Sequence, residues 1–287
     1  MISLLQVILL GLIQGAAELL PVSSSAHVVV AEKLMGIDPT SPEATFLLVM
    51  LHTGTMFAVL VYFWRKWAAR YFGDAGRRNA VFAQLVIATA CSGAIGLGLK
   101  FLIERMILGS GASPGEVEER FGNLPLMAGG LAAAGILIIV SGLKRRNSAS
   151  GSRISMGSAV GMGLIQGLIL PIRGFSRSGS TISAGLLAGN GRAEAEDFSF
   201  ALAVLLTPAI VGLELKRLLK MHATETQPHH LLHLTGPGLI GMACSFVAGL
   251  LALRILSRWL ENGRWHYFGY YCLAAAVGVM VLAAAGY

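Results

Sequence analysis

The chain has 287 residues, 55% of them hydrophobic and only 13% charged, and a mean hydropathy of +0.69. This balance excludes a water-soluble globular domain and predicts an all-α polytopic membrane protein. The net charge of +7 is then loop charge, which speaks for topology and anionic lipid, and no motif or basic stripe points to nucleic acid.

In chain order, a first apolar segment at about 2–20 ends at Pro21, and a second runs from about 24 to 35. Proline removes a donor and disfavours helix at Leu20, so a new helix must restart from a cap at Ser23, Ser24 or Ser25. Both pieces are short for a crossing, which predicts a re-entrant pair. Around the break the sequence reads QGAAELLPVSSSAH, from Gln14 to His27. Gln14 and Glu18 are four apart and share a helix face, the free amides of the new helix favour an anion, and His27 faces the serine hydroxyls from its first turn. Ionisable groups are costly in hydrocarbon, so Glu18 and His27 together mark a reaction site rather than a plain helix corner. No Lys or Arg precedes Lys33, so these residues are expected to belong to the fold and not to a cleaved signal.

Spanning helices follow at about 43–64, 79–103 and 124–143. The loop 65–78 carries Arg65, Lys66, Arg70, Arg77 and Arg78 against Asp74, and 144–153 carries Lys144, Arg145, Arg146 and Arg153; both predict a cytoplasmic side. The stretch 104–123, with Glu104, Glu116, Glu118 and Glu119, suits the outside. His52, in LHTGT, reads equally well as a cavity residue or as a histidine bonded to a neighbouring carbonyl.

The plan then repeats. GLIQG at 11–15 recurs at 163–167, followed by Pro171 and the run GFSRSGSTIS, which predicts a second broken pair at about 155–171 and 175–189 and spans near 197–215, 236–257 and 267–285. The chain therefore reads as two halves, 1–150 and 151–287, of one transmembrane domain with about six spanning helices and two re-entrant pairs. Three spans per half invert the second copy, so the two serine-rich turns meet near the midplane and both termini lie outside. The loop 216–235 argues against this, because Lys216, Arg217 and Lys220 face Glu225 on the predicted outer side. The second copy lacks a Glu18 and carries Arg173 and Arg177 instead; Arg177, among Ser176, Ser178 and Thr181 at a helix start, is a phosphate clamp. Gly11 with Gly15, Gly157 with Gly161 and Gly163 with Gly167 predict close helix packing, and Thr207-Pro208 predicts a kink. Cys91, Cys244 and Cys272 read as core thiols, and His229 and His233 as residues of a solvated loop.

These motifs carry a resemblance. QGAAELLPVSSSAH resembles the first motif of the undecaprenyl-diphosphatase family, the bacitracin-resistance phosphatases called BacA or UppP, and GFSRSGSTIS resembles the second. LHTGTMFAVLVYFWR and the FSFALAV run after Asp197 match two further segments, so the likeness spans nearly the whole chain. It implies hydrolysis of undecaprenyl diphosphate to the monophosphate and phosphate at the outer face of the bacterial cytoplasmic membrane, recycling the lipid carrier of peptidoglycan synthesis. By position it places functional residues at Gln14, Glu18, Ser23, Ser24, His27, Ser176 and Arg177. The chain departs from the family at Gln14, where a glutamate is usual, and at Pro171-Ile-Arg-Gly174, where Pro-Gly directly precedes the SRS run.

The expected chemistry is metal-assisted phosphoryl transfer, with a divalent cation, Mg²⁺ first and Ca²⁺ second, at Glu18, and with Arg177 and the helix-start amides holding the diphosphate. Either Ser24 attacks with His27 as base, or His27 attacks with Glu18 orienting it. Arg173 is expected on the second phosphate. A polyprenyl-phosphate flippase would use the same arginine and helix ends but would need no general base.

Overall fold

The structure, a computed structural model, describes residues 2–39, 41–71, 75–107, 123–144, 154–223 and 230–286. Among them there are ten helices and no strand: α1 (Leu4–Leu19), α2 (Ser24–Leu34), α3 (Pro42–Tyr71), α4 (Ala75–Ile107), α5 (Leu124–Leu143), α6 (Met156–Ile169), α7 (Arg177–Leu187), α8 (Arg192–Ala223), α9 (His230–Glu261) and α10 (Trp265–Ala284). Six of them, α3, α4, α5, α8, α9 and α10, are long and apolar enough to cross a membrane. The other four have 16, 11, 14 and 11 residues, so the longest reaches only about 24 Å at 1.5 Å per residue. Much of the apolar surface faces outward: in the crossing window of α4 only 17% of the residues are buried, and Leu97, Phe82 and Val277 are exposed. Such a surface is stable against lipid tails and not against water.

The short helices α1 and α6 start at side-chain caps. Ser3 and Gln6 form a capping box at the start of α1, and Ser155 caps α6. Several helices outrun the loops expected from charge. α3 extends through Lys66 to Tyr71, and α8 and α9 cover most of 216–235, with His233 inside α9. His229 and the loop residues 108–122 and 145–153 lie outside the described residues. α8 runs through Pro208 as one helix, with the Thr207 hydroxyl donating back to the Ala203 carbonyl at 2.7 Å.

Close packing joins the short helices to distant ones. α1 lies on α9, where a Cβ at Gly11 would stand 2.8 Å from the Gly241 carbonyl oxygen. α6 lies on α4 in the same manner, where a Cβ at Gly167 would stand 2.7 Å from the Ser92 carbonyl oxygen. Gly157 and Gly161, expected to pack as well, do not touch another helix: a Cβ at Gly157 would meet the Ser155 hydroxyl at 3.9 Å, and Gly161 faces open space. The pair the sequence reading missed is Gly135 of α5 and Gly269 of α10, each of which would thrust a Cβ onto the other's carbonyl oxygen, at 2.8 and 2.6 Å. The largest apolar cluster, including Phe63, Phe200, Leu253 and Trp265, packs beneath the two broken pairs.

Candidate active site

The first turn begins where Pro21 dictates, with Leu20 extended at φ −74° and ψ 152°. Ser23 then takes φ 68°, the one positive φ of a non-glycine residue among the described residues. An L residue resists that conformation, and it persists where the surroundings hold it for a purpose. α2 starts immediately after with no side-chain cap, which leaves its first amides available beside the serine hydroxyls.

The second turn reaches the same shape with glycine. Gly174 has φ 89° and lies so tightly on α5 that a Cβ would overlap the Met127 backbone. Ser176 then caps α7, its hydroxyl accepting from the Gly179 amide at 3.1 Å. The two turns are tied together: the Gly174 amide donates to the Ser25 hydroxyl at 3.2 Å, and the Ser178 hydroxyl donates to the Leu20 carbonyl at 3.4 Å.

Between the turns Glu18 is the hub. Arg177 Nη2 donates to its Oε1 at 2.6 Å, the Ser24 hydroxyl donates to its Oε2 at 2.5 Å, and Gln14 Nε2 reaches the same Oε2 at 3.4 Å. His52 Nε2 stands 3.8 Å from that oxygen. Glu18, Ser24, His52 and Arg177 border a cavity of about 270 Å³ lined also by Ser23, Ser25, Arg173, Ser176, Ser178 and Thr207. Arg177 Nη1 is buried with no hydrogen-bond partner. An orphaned guanidinium donor costs stability unless something else satisfies it, and an anionic oxygen in the cavity is the natural acceptor.

Glu18, Ser24 and Arg177 thus come together as the motifs predict, with Ser23, Arg173, Ser176 and Ser178 on the cavity wall. Gln14 stands behind Glu18, 1% exposed, and supports it rather than facing the cavity. Thr181 does not reach the cavity; it is fully buried, its hydroxyl turned back to the Arg177 carbonyl at 2.9 Å and to Ser199 at 2.5 Å. A threonine inside a helix has its own helix carbonyl within reach, and here that contact prevails. His27 is also elsewhere. Its Nδ1 bonds the Ser23 carbonyl and its Nε2 the Tyr271 hydroxyl, both at 2.8 Å, and the ring stacks on Tyr271. Neither nitrogen is free for Ser24. The imidazole in the site is that of His52, and Ser25, to which the family pattern assigns no role, is what fastens one turn to the other.

The cavity wall by itself supplies few ligands to a divalent cation. Mg²⁺ takes six oxygens at about 2.1 Å. Glu18 is the one carboxylate on the cavity wall; Arg177 and Ser24 occupy its oxygens, and Arg173 adds a second positive charge. No cluster of three or more His, Cys, Asp or Glu able to hold a metal occurs among the described residues. A divalent cation at Glu18 would therefore need substrate phosphate and water for its remaining ligands.

A family model described as "Bacitracin resistance protein BacA" matches residues 7–278. Undecaprenyl-diphosphatase 2 of Acinetobacter baylyi is 55% identical over 98% of this chain and 98% of the relative. The undecaprenyl-diphosphatase of Desulfosudis oleivorans is 38% identical over 93% of this chain and 94% of the relative, and that of Rhodopirellula baltica 35% over 97% and 98%.

Proposed function

Since the chain belongs to the bacitracin resistance protein BacA family, we propose that it hydrolyses undecaprenyl diphosphate to undecaprenyl phosphate and inorganic phosphate, returning the lipid carrier to peptidoglycan synthesis. One observation carries this at the level of residues: the Ser24 hydroxyl is held at 2.5 Å by Glu18, itself paired at 2.6 Å with Arg177, whose second amino group is unsatisfied. That arrangement combines a nucleophile, a proton acceptor and an anion clamp. A flippase needs the clamp and the helix ends but has no use for a hydroxyl aligned on a carboxylate.

Arg177 Nη1 and the uncapped amides of α2 hold the terminal phosphate, and Arg173 takes the second. Ser24 Oγ attacks and Glu18 Oε2 receives its proton. These steps use the chain's own residues, and a divalent cation bound with the diphosphate at Glu18 would neutralise developing charge. Electrostatic stabilisation by fixed donors is the main contribution, since a phosphoryl transition state asks for positioning and charge more than for covalent help. The prenyl chain lies in the bilayer against the apolar outer faces.

The protein is a multi-pass membrane protein, and we place it in the bacterial cytoplasmic membrane with the cavity towards the outer face. The basic charge of segments 65–78 and 144–153, which predicts a cytoplasmic side for them, supports that orientation. We further read 1–150 and 151–287 as inverted halves, supported by the reciprocal packing of α1 on α9 and α6 on α4.

The decisive experiment uses the purified chain in detergent, where there are no two sides to transport between. It should release phosphate from a long-chain prenyl diphosphate, and Glu18→Gln should lower the rate on the order of a hundredfold or more while leaving lipid binding intact. No release by the unmodified protein, or undiminished release by Glu18→Gln, would sink the phosphatase reading.

A further inference from the structure

We propose that His52 is the proton partner of Glu18, a general acid and base for the same reaction; the proposal rests on the phosphatase reading above. His52 Nδ1 lies 2.9 Å from the Leu48 carbonyl oxygen. A carbonyl only accepts, so Nδ1 carries the hydrogen and Nε2 is the free nitrogen. That nitrogen is 3.8 Å from Glu18 Oε2, the oxygen that already accepts the Ser24 hydroxyl at 2.5 Å. Ser24, Glu18 and His52 therefore form a chain of three groups, all on the cavity wall. The step from 3.8 Å to a hydrogen bond is under 1 Å, the kind of tightening that follows substrate binding.

The platform under His52 is rigid. One residue before it, the Leu51 carbonyl accepts the Ser245 hydroxyl at 2.9 Å. Two residues after it, Gly54 lies so close to α9 that any Cβ would overlap the Met242 backbone. The neighbouring wall from α8, with Ala203, Leu206 and Thr207, brings no charge, so Nε2 has no competitor for Glu18 from that side.

Glu18 has reason to pass a proton on, because holding one would break its pair with Arg177. In the first step Ser24 Oγ bonds to the terminal phosphorus, the bridging P–O bond breaks, and its electron pair leaves with the lipid phosphate. The Ser24 proton moves to Glu18 Oε2, to His52 Nε2 and on to the leaving oxygen. In the second step water bonds to phosphorus and the P–Oγ bond breaks. One water proton stays on inorganic phosphate and the other returns through His52 and Glu18 to Ser24. His27, with both nitrogens engaged, has no part in this path.

The test measures phosphate release from a long-chain prenyl diphosphate by the full chain in detergent, for the unmodified protein, His52→Gln, His52→Ala and Glu18→Gln, each checked for monodisperse elution. For both His52 variants kcat should fall on the order of a hundredfold with KM within about twofold. Free imidazole should restore part of kcat to His52→Ala and none to Glu18→Gln. A His52→Gln variant with kcat within twofold of the unmodified protein overturns the proposal, and so does a rise in KM at constant kcat or a loss that imidazole does not repair. If the unmodified protein releases no phosphate, the phosphatase reading itself falls and the role of His52 falls with it.

Discussion

At Ser23 and Gly174 the two broken-helix turns both enter the left-handed half of backbone space, one with a residue that resists it and one with a residue that does not. The first turn accepts that strain because its side chains are needed: Ser23, Ser24 and Ser25 all line the cavity. The second turn needs the space instead, since its backbone lies on Met127 and against Gly130, where a Cβ would stand 2.8 Å from the Arg173 carbonyl oxygen. Chemistry is concentrated in the first turn, and the second delivers cations from a firmly seated loop. On the reading of the chain as two halves, the difference between the turns lies in which side chains the backbone can spare.

Replacing the hydroxyl tests that division most severely. Ser24→Ala should reduce turnover on the order of 10⁴-fold, the scale for removing a nucleophile, with the fold intact. A variant retaining a tenth of the rate would move the chemistry out of the first turn. Gly174→Ala should instead act on stability. A left-handed alanine overlapping the Met127 backbone should cost at least about 2 kcal/mol, visible as a lower melting temperature in detergent. An unchanged melting temperature would mean that the second turn is no anchor.

Arg177→Lys keeps the charge but not the fork that reaches Glu18 and the cavity at once. Its turnover should drop at least about tenfold, or 1.4 kcal/mol. The smallest effect belongs to Ser25→Ala, which removes the acceptor for the Gly174 amide and should cost about 1 kcal/mol of stability. Were it neutral, the turns would not depend on that bond to stay in register.

The sequence made the helices and their breaks legible, because a proline after an apolar run and a serine cap are local signals. Glu18, Ser24 and Arg177 were legible too, since charge in hydrocarbon needs a reason and the two motifs supply complementary signs. The choice of imidazole was not. Spacing puts His27 next to the serines along the chain, but where its ring turns is decided by Tyr271, a residue 244 positions away. His52 enters the site because α3 crosses α1 at that height, and nothing in LHTGT specifies the crossing. The divalent cation came with the resemblance alone, because one carboxylate beside two arginines is no metal signal by itself.

The packing of α1 on α9 has a consequence for biosynthesis. Residues 4–19 leave the ribosome long before residues 230–261, which form the surface that seats them. Glu18 also waits for Arg177, 159 positions later in the chain. Through most of translation the nascent protein therefore holds a carboxylate in the membrane without its counterion. Site assembly therefore waits for the synthesis of α7 and α9, and a chain released before α9 emerges has lost the support for its first helix.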